Sequence, residues 1–200
     1  MIYTTKIQKA IKFAVKTHQV YQSQVRKGKV TPYITHPLTL GLILSRAGAD
    51  EDTIIAGILH DTIEDSVKEK KVTREMIVER FGENVAMLVA SVTEFNKDLS
   101  WEVRKQAALE HIKTFSHESL LVKSADIMSN GFEVLDDHGR IGDAVFTNFK
   151  GGKEKTLRHY LHVIAAILEN WPENPLASDL VYLAGQMEMI GIEFFMVKSP

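Results

Sequence analysis

Residues 50–65 read "DEDTIIAGILHDTIED". The stretch begins as an apolar helix, opened by Asp50 or Asp52, and ends in four ionisable side chains within six residues. At about 100° per residue, Ile54, Ile55, Ile58, Leu59 and Ile63 gather on one side of a helix over 54–65. His60, Asp61, Glu64 and Asp65 fall on the other, in an arc of about 140°. Gly57 lies on that polar arc one turn earlier, where a missing side chain leaves room for a ligand or a neighbouring helix. A solvated face would explain the same pattern. The rest of the chain decides between a solvent face and a site.

Working outward, most of the 200 residues carry helical periodicity. "TTKIQKAIKFAVKTHQVY" places Ile7, Ala10, Ile11, Ala14 and Val15 on one stripe. "QSQVRKGKVTPYI" is a basic loop broken by Gly28 and Pro32. "THPLTLGLILSRAG" is a helix with Thr35 or His36 near its cap and Pro37 in its first turn. After the opening stretch, "SVKEKKV" is a charged linker, and "TREMIVERFG" a short helix closed by Gly82. "ENVAMLVASVTEF", "SWEVRKQAALEHIKTF" and "SLLVKSADIMSNGFEVL" are further helices. "DDHGRIGDAV" reads as a loop, "GGKEKTLRHYLHVIAAILEN" as a long helix, and "WPENP" as a break before a last helical stretch. No alternating strand series, repeat or low-complexity segment is present. The expectation is an all-α helical array, one domain over 1–200, its motifs within about 10–135 and a helical C-terminal part over about 150–200.

Composition narrows the function classes. Hydrophobic residues make up 44% and charged residues 25%, with a net charge of −2, so no global basic field draws the chain to nucleic acid or an anionic membrane. There is no cysteine. That removes disulfides, thiolate metal sites and cysteine nucleophiles together, and fits a cytoplasmic protein. "MIYTTKIQKAIKFAVK" has no uninterrupted apolar segment, so no signal peptide is expected, and no apolar run approaches the roughly 18 residues of a membrane span.

Two further positions favour a site. Asp126, in "LLVKSADIMSN", is flanked by apolar residues on both sides, and a buried carboxylate needs a cation or strong donors. His36, in "YITHPL", stands at the entry of an apolar helix. Each has an ordinary reading, as a helix-internal hydrogen-bonder or a capped core histidine. Together, two histidines and two aspartates make a nitrogen–oxygen set suited to Mn²⁺, Fe²⁺ or Zn²⁺, and softness alone does not choose among them.

In this order the motifs resemble the HD superfamily of metal-dependent phosphohydrolases, and more narrowly the hydrolase domain of RelA/SpoT-type alarmone enzymes and their small stand-alone relatives. The matching pieces are "HQVYQSQVRKGKVTPYITHPL", "DEDTIIAGILHDTIED", "RFGENVAMLVASVTE" and "LLVKSADIMSN". The resemblance implies an HD-domain helical array, with Mn²⁺ held by His36, His60, Asp61 and Asp126. It implies removal of the 3′-pyrophosphate from guanosine tetra- or pentaphosphate, with Glu64 and Asp65 as the catalytic pair. The family's synthetase domain has no counterpart in these 200 residues. The chain departs from the family in "ADIMSNG", where ADRLHNL is common, keeping Asn130 but placing Ile127 and Ser129 at the other polar positions. Glu94 stands where lysine is common.

Asp61, Asp126, Glu64 and Asp65 would leave a metal-loaded site negative, so a polyanionic nucleotide needs compensating cations. Arg26 and Lys27 match the family's substrate loop. Lys97, Arg104 and Lys123 are further candidates, and Asn130 offers an amide to a ribose or phosphate. Two other readings are open: an HD phosphohydrolase for another nucleotide, such as a nucleoside phosphate or NADPH, and a weakly catalytic nucleotide-binding regulator. Oligomeric state is not legible.

Overall fold

One helix is apolar on every side. In α3 (Glu51–Leu59), residues Thr53 to Leu59 are all buried, which requires packing partners all round. They are α1 (Thr5–Val15), α2 (Thr35–Arg46) and α6 (Glu83–Val92), all in contact with α3. Asp50 caps α3, its Oδ1 accepting from the Thr53 amide at 2.7 Å. Thr4 and Thr73 cap α1 and α5 (Arg74–Phe81) in the same way, and α5 packs on α6. Gly82, at φ +94°, ends α5 in a conformation that side chains resist.

The structure is a computed structural model that describes residues 3–94 and 98–196, with side chains through 191. Two compact units are distinguished. The first is Met1–Phe95 with Phe115–Asp126; the second is Asn96–Thr114 with Ile127–Pro200. In the first, Leu120, Val122 and Ala125 on the early part of α8 (His117–Ile141) complete the core. Ser119 on α8 meets Ser91 on α6, hydroxyl to hydroxyl at 2.8 Å. In the second unit, α9 (Gly152–Asn170) packs against α7 (Trp101–Ile112) and α10 (Ala177–Met196). Val163, Ile164 and Ile167 of α9 are buried, as are Leu180, Leu183 and Met187 of α10. The described residues contain no strand, and none of their helices is long and apolar enough to cross a membrane. The all-α expectation holds.

Two expectations are corrected. The helix predicted over 54–65 is interrupted. α3 stops at Leu59, His60 and Asp61 turn, and α4 (Thr62–Asp65) is a single turn. The carbonyls released at the break are taken by side chains: Gly57 O by His60 Nδ1 at 2.8 Å, and Leu59 O by the Thr62 hydroxyl at 2.7 Å. The loop predicted at "DDHGRIGDAV" is helical: α8 runs through Ile141, and a 3-10 helix follows over Gly142–Asn148. Arg140 pairs with Asp136 and Asp137 four and three residues back, and the chain leaves the helix at Gly142, φ +60°.

Gly57 makes room for a helix. A Cβ there would lie 2.3 Å from Leu44 Cδ1 on α2, and Leu44 is fully buried. Gly57→Ala is therefore expected to destabilise by about 1–3 kcal/mol, despite its better helix propensity. Leu44→Ala alone should cost about 2–5 kcal/mol. Urea unfolding of the double variant should cost clearly less than the two combined, because the new methyl enters the space Leu44 vacates; strict additivity would show that the contact does not limit packing.

Candidate metal and catalytic site

His36 lies in the first turn of α2 and His60 at the C-terminal end of α3; they are 3% and 5% exposed. Their rings stand edge to face with centroids 5.1 Å apart. His60 Nδ1 faces the Gly57 carbonyl, which can only accept, so Nδ1 carries a proton and Nε2 is the atom directed into the site. Asp126 is carried in by α8. One atom each from His36, His60 and Asp126 lies within 4.8 Å of the others. Ligands of one metal at about 2.0–2.2 Å are at most about 4.4 Å apart, so these three sit close to ligating separation.

Asp61 joins them through the turn after α3. Its Oδ2 is 2.9 Å from His60 Nε2 and 3.9 Å from His36 Nε2, and Asp126 Oδ1 is 3.4 Å from His36 Nε2. Imidazole lone pairs thus point at carboxylate lone pairs in a buried place, an arrangement that needs a positive charge at its centre, either protons or a metal ion. The donor set of two imidazoles and two carboxylates fits a divalent cation of intermediate hardness. The four residues expected to form this set are brought together.

The electrostatics of these side chains agree. Burial opposes charge on His60, but the Asp61 carboxylate outweighs it and pushes the imidazole up to about 9. For His36, burial dominates and lowers the value, against the pull of Asp126. Burial also opposes charge on the two aspartates, yet Asp61 is lowered by His60, and Asp126 is held well below the usual carboxylate range by Lys123 and the histidines. Lys123 donates to Asp126 Oδ2 at 2.8 Å; foreseen as a substrate contact, it is engaged with this carboxylate.

The short α4 holds Glu64 and Asp65 beside this cluster, each accepting a hydrogen bond. Glu64 Oε2 accepts from the Glu94 backbone amide at 3.2 Å, and Asp65 Oδ2 accepts from Gln24 Nε2 at 3.0 Å. The loop before His36 contributes more than its cations. Tyr33 donates its hydroxyl to Asp61 Oδ2; burial, then the Asp61 charge, hold that phenol protonated far above its usual range. Arg26 lies over the Tyr33 ring, 5.4 Å from its centroid, half-buried, whereas Lys27 is exposed. Arg26 thus reaches the ring that touches Asp61.

Three substrate candidates lie outside the described part of the first unit. Asn130 and Arg104 belong to the second unit, and Lys97 lies outside the described residues. Ile127, a departure from the family pattern, is buried at 4% exposure as a core residue. Tyr33, Gln24 and the Glu94 amide were missed as site members. Their one sequence signal was place: a glutamine two residues before Arg26, and a tyrosine three before His36.

The His60–Asp61 pair generates a pH prediction. In the folded cation-free chain His60 keeps its proton to about 9, against 6.5 for the ordinary imidazole. A raised value means that the contribution is complete below pH 6.5 and is lost as pH rises through 9. Chelator-treated protein should melt at progressively lower temperature between these limits, and saturating divalent cation should remove the decline. A decline of the same size in His60→Gln would assign it to other groups.

With the geometry in hand, similarity to known proteins becomes informative. The HD domain family matches residues 10–128. The guanosine-3′,5′-bis(diphosphate) 3′-pyrophosphohydrolase of Danio rerio is 36% identical over 129 residues, 64% of this chain and 68% of that protein. The Aquifex aeolicus protein of the same name is 43% identical over 95 residues, 48% of this chain, and the chain spans 12% of its length. A solved structure described as a metazoan ortholog of SpoT that hydrolyzes ppGpp aligns over 96% of this chain and 97% of its own. Its TM-score is 0.72 at 22% identity, a likeness of fold. The family match takes in more than half of the chain and includes His36, His60, Asp61, Glu64, Asp65 and Asp126: the chain belongs to the HD-domain family.

Proposed function

We propose that the chain is a metal-dependent phosphohydrolase that removes the 3′-pyrophosphate of guanosine tetra- and pentaphosphate, yielding GDP or GTP and pyrophosphate. The observation that carries the reading is the convergence of His36, His60, Asp61 and Asp126 beside the hydrogen-bonded pair Glu64 and Asp65. The names of the Danio rerio and Aquifex aeolicus relatives support the substrate. Mn²⁺ is the proposed ion, with Fe²⁺ and Zn²⁺ suited to the same donors, and the cytoplasm the proposed place of action.

When bound, the ion supplies Lewis acidity, polarising the phosphoryl group and acidifying water. The chain's own residues do the rest. Glu64 takes the proton of the attacking water, with Asp65 assisting. The water oxygen bonds to the phosphorus attached to the ribose 3′-oxygen, the bond from that phosphorus to the 3′-oxygen breaks, and the 3′-oxygen takes up a proton from solvent to become the hydroxyl. Tyr33 keeps Asp61 in place through its hydroxyl. Arg26 and Lys27 offset substrate charge, and the guanidinium plane of Arg26 can stack on a base or bind phosphate bidentately. Asn130, Arg104 and Lys97 are proposed as further substrate contacts.

A substrate panel tests this with Mn²⁺-loaded protein. Guanosine 3′-pyrophosphates should be cleaved with release of intact pyrophosphate, and hydrolysis of simple nucleoside monophosphates alone would contradict the substrate reading. Glu64→Gln preserves size and removes the charge. It should slow turnover by about 10²-fold or more with metal retained; near-normal turnover would remove Glu64 as the base. Arg26→Ala should raise KM more than it lowers kcat, and the reverse pattern would move Arg26 from binding to the chemical step.

A further inference from the structure

Asp65 is the end of a chain of hydrogen bonds that begins inside the core. Gln24 donates Nε2 to Asp65 Oδ2 at 3.0 Å. Its Oε1 meets His18 Nδ1 at 2.7 Å and accepts from Gln22 Nε2 at 3.2 Å. Gln22 Nε2 also faces the Asp65 backbone carbonyl at 2.8 Å. The orientation of the Gln24 amide is forced: a carboxylate only accepts, so the nitrogen faces Asp65 and the oxygen faces the imidazole. His18 Nδ1 must then be the donor.

His18 is an expensive way to fill space. It is 0% exposed, and its Nε2 has no hydrogen-bond partner among the described residues. An apolar ring would pack there without stranding a nitrogen. The backbone around it is built to the same end. α1 closes in a π turn, Lys16–Val20, that carries His18, a device common where a side chain must be re-aimed. Ser23 takes φ +46°, a left-handed conformation costly without glycine. The Gln24 amide donates to His18 O at 2.8 Å, and the Gln24 carbonyl accepts from the Tyr33 amide at 2.8 Å. Gln24 is therefore fixed at its backbone and at both ends of its side chain.

We propose that His18 and Gln24 are positioning residues for hydrolysis: acting through Gln24 Nε2, they hold the Asp65 carboxylate in the orientation in which it assists Glu64, and they take no part in the metal-ligand set. The proposal rests on the reading of Asp65 as a member of the catalytic pair. Burial keeps the His18 imidazole below its ordinary value, in line with a neutral ring that donates from Nδ1.

A double-mutant cycle tests it, using the metal-loaded chain and guanosine tetraphosphate. Gln24→Met keeps the length of the side chain and removes its donor. It should lower kcat by about 10- to 100-fold, with KM and metal content unchanged. Asp65→Asn combined with Gln24→Met should be no slower than Asp65→Asn alone, because the proposed route of the Gln24 side chain runs through Asp65. Losses that multiply, or a loss of metal in Gln24→Met, would overturn the relay while leaving Asp65 in place. A wild-type rate in Asp65→Asn would instead remove Asp65 from catalysis, and the relay with it. His18 gives an independent arm: His18→Asn restores a donor near Nδ1 and should keep a kcat several-fold above His18→Leu, whereas equal rates would overturn its role. Nitrogen NMR of the metal-free chain reads the relay without turnover. His18 should be the neutral tautomer protonated at Nδ1, and protonation at Nε2 alone would contradict the geometry.

Discussion

Imidazole nitrogens and carboxylate oxygens that face one another in a buried place require positive charge between them, from protons or a metal ion. That requirement governs the first unit. His36 and His60 are almost wholly buried; Asp61 lies 2.9 Å from His60 Nε2 and 3.9 Å from His36 Nε2, and Asp126 lies 3.4 Å from His36 Nε2. Protons or Lys123 can satisfy the set only in part. In the proposed site a divalent ion would satisfy all four donors at once, and its affinity would then be coupled to the stability of the fold that assembles them.

The helices serve this constraint in a definite order. α3 is enclosed by α1, α2 and α6, so its last residue, and with it His60, has a fixed position. The break after Leu59 then matters as much as the helix. It frees the Gly57 carbonyl to select the tautomer of His60, and starts a new turn that carries Glu64 and Asp65. An unbroken helix over 54–65 would leave that carbonyl bonded within the helix, with nothing to direct Nε2.

Much of this was legible from sequence because it rests on periodicity and spacing. The apolar runs gave the helices, a start at Asp50 or Asp52, and the Gly82 stop. The residues His36, His60, Asp61 and Asp126 stood out as polar groups inside apolar context. What was not legible depends on side chains reaching across irregular backbone. The break in α3 leaves the apolar pattern intact through Ile63, so periodicity runs past it. Gly139 and the acidic pair before it suggested a loop, yet the Arg140 ion pairs and the run to Gly142 continue α8. Tyr33, Gln24 and His18 act from a loop and a π turn, where no repeat marks which side chain faces inward. Lys123 read as a candidate substrate cation, and its pairing with Asp126 was not foreseen because three residues is also the spacing of an ordinary surface pair.

The central claim is that the four residues form one metal site, and metal stoichiometry tests it most directly. Purified wild-type chain, loaded with Mn²⁺ and freed of excess, should retain about one divalent ion per chain. Asp126→Ala, shown to be folded by circular dichroism, should retain far less under the same treatment. Equal metal content in the two proteins would contradict the account, since the carboxylate that faces His36 and Lys123 would then be dispensable to the ion.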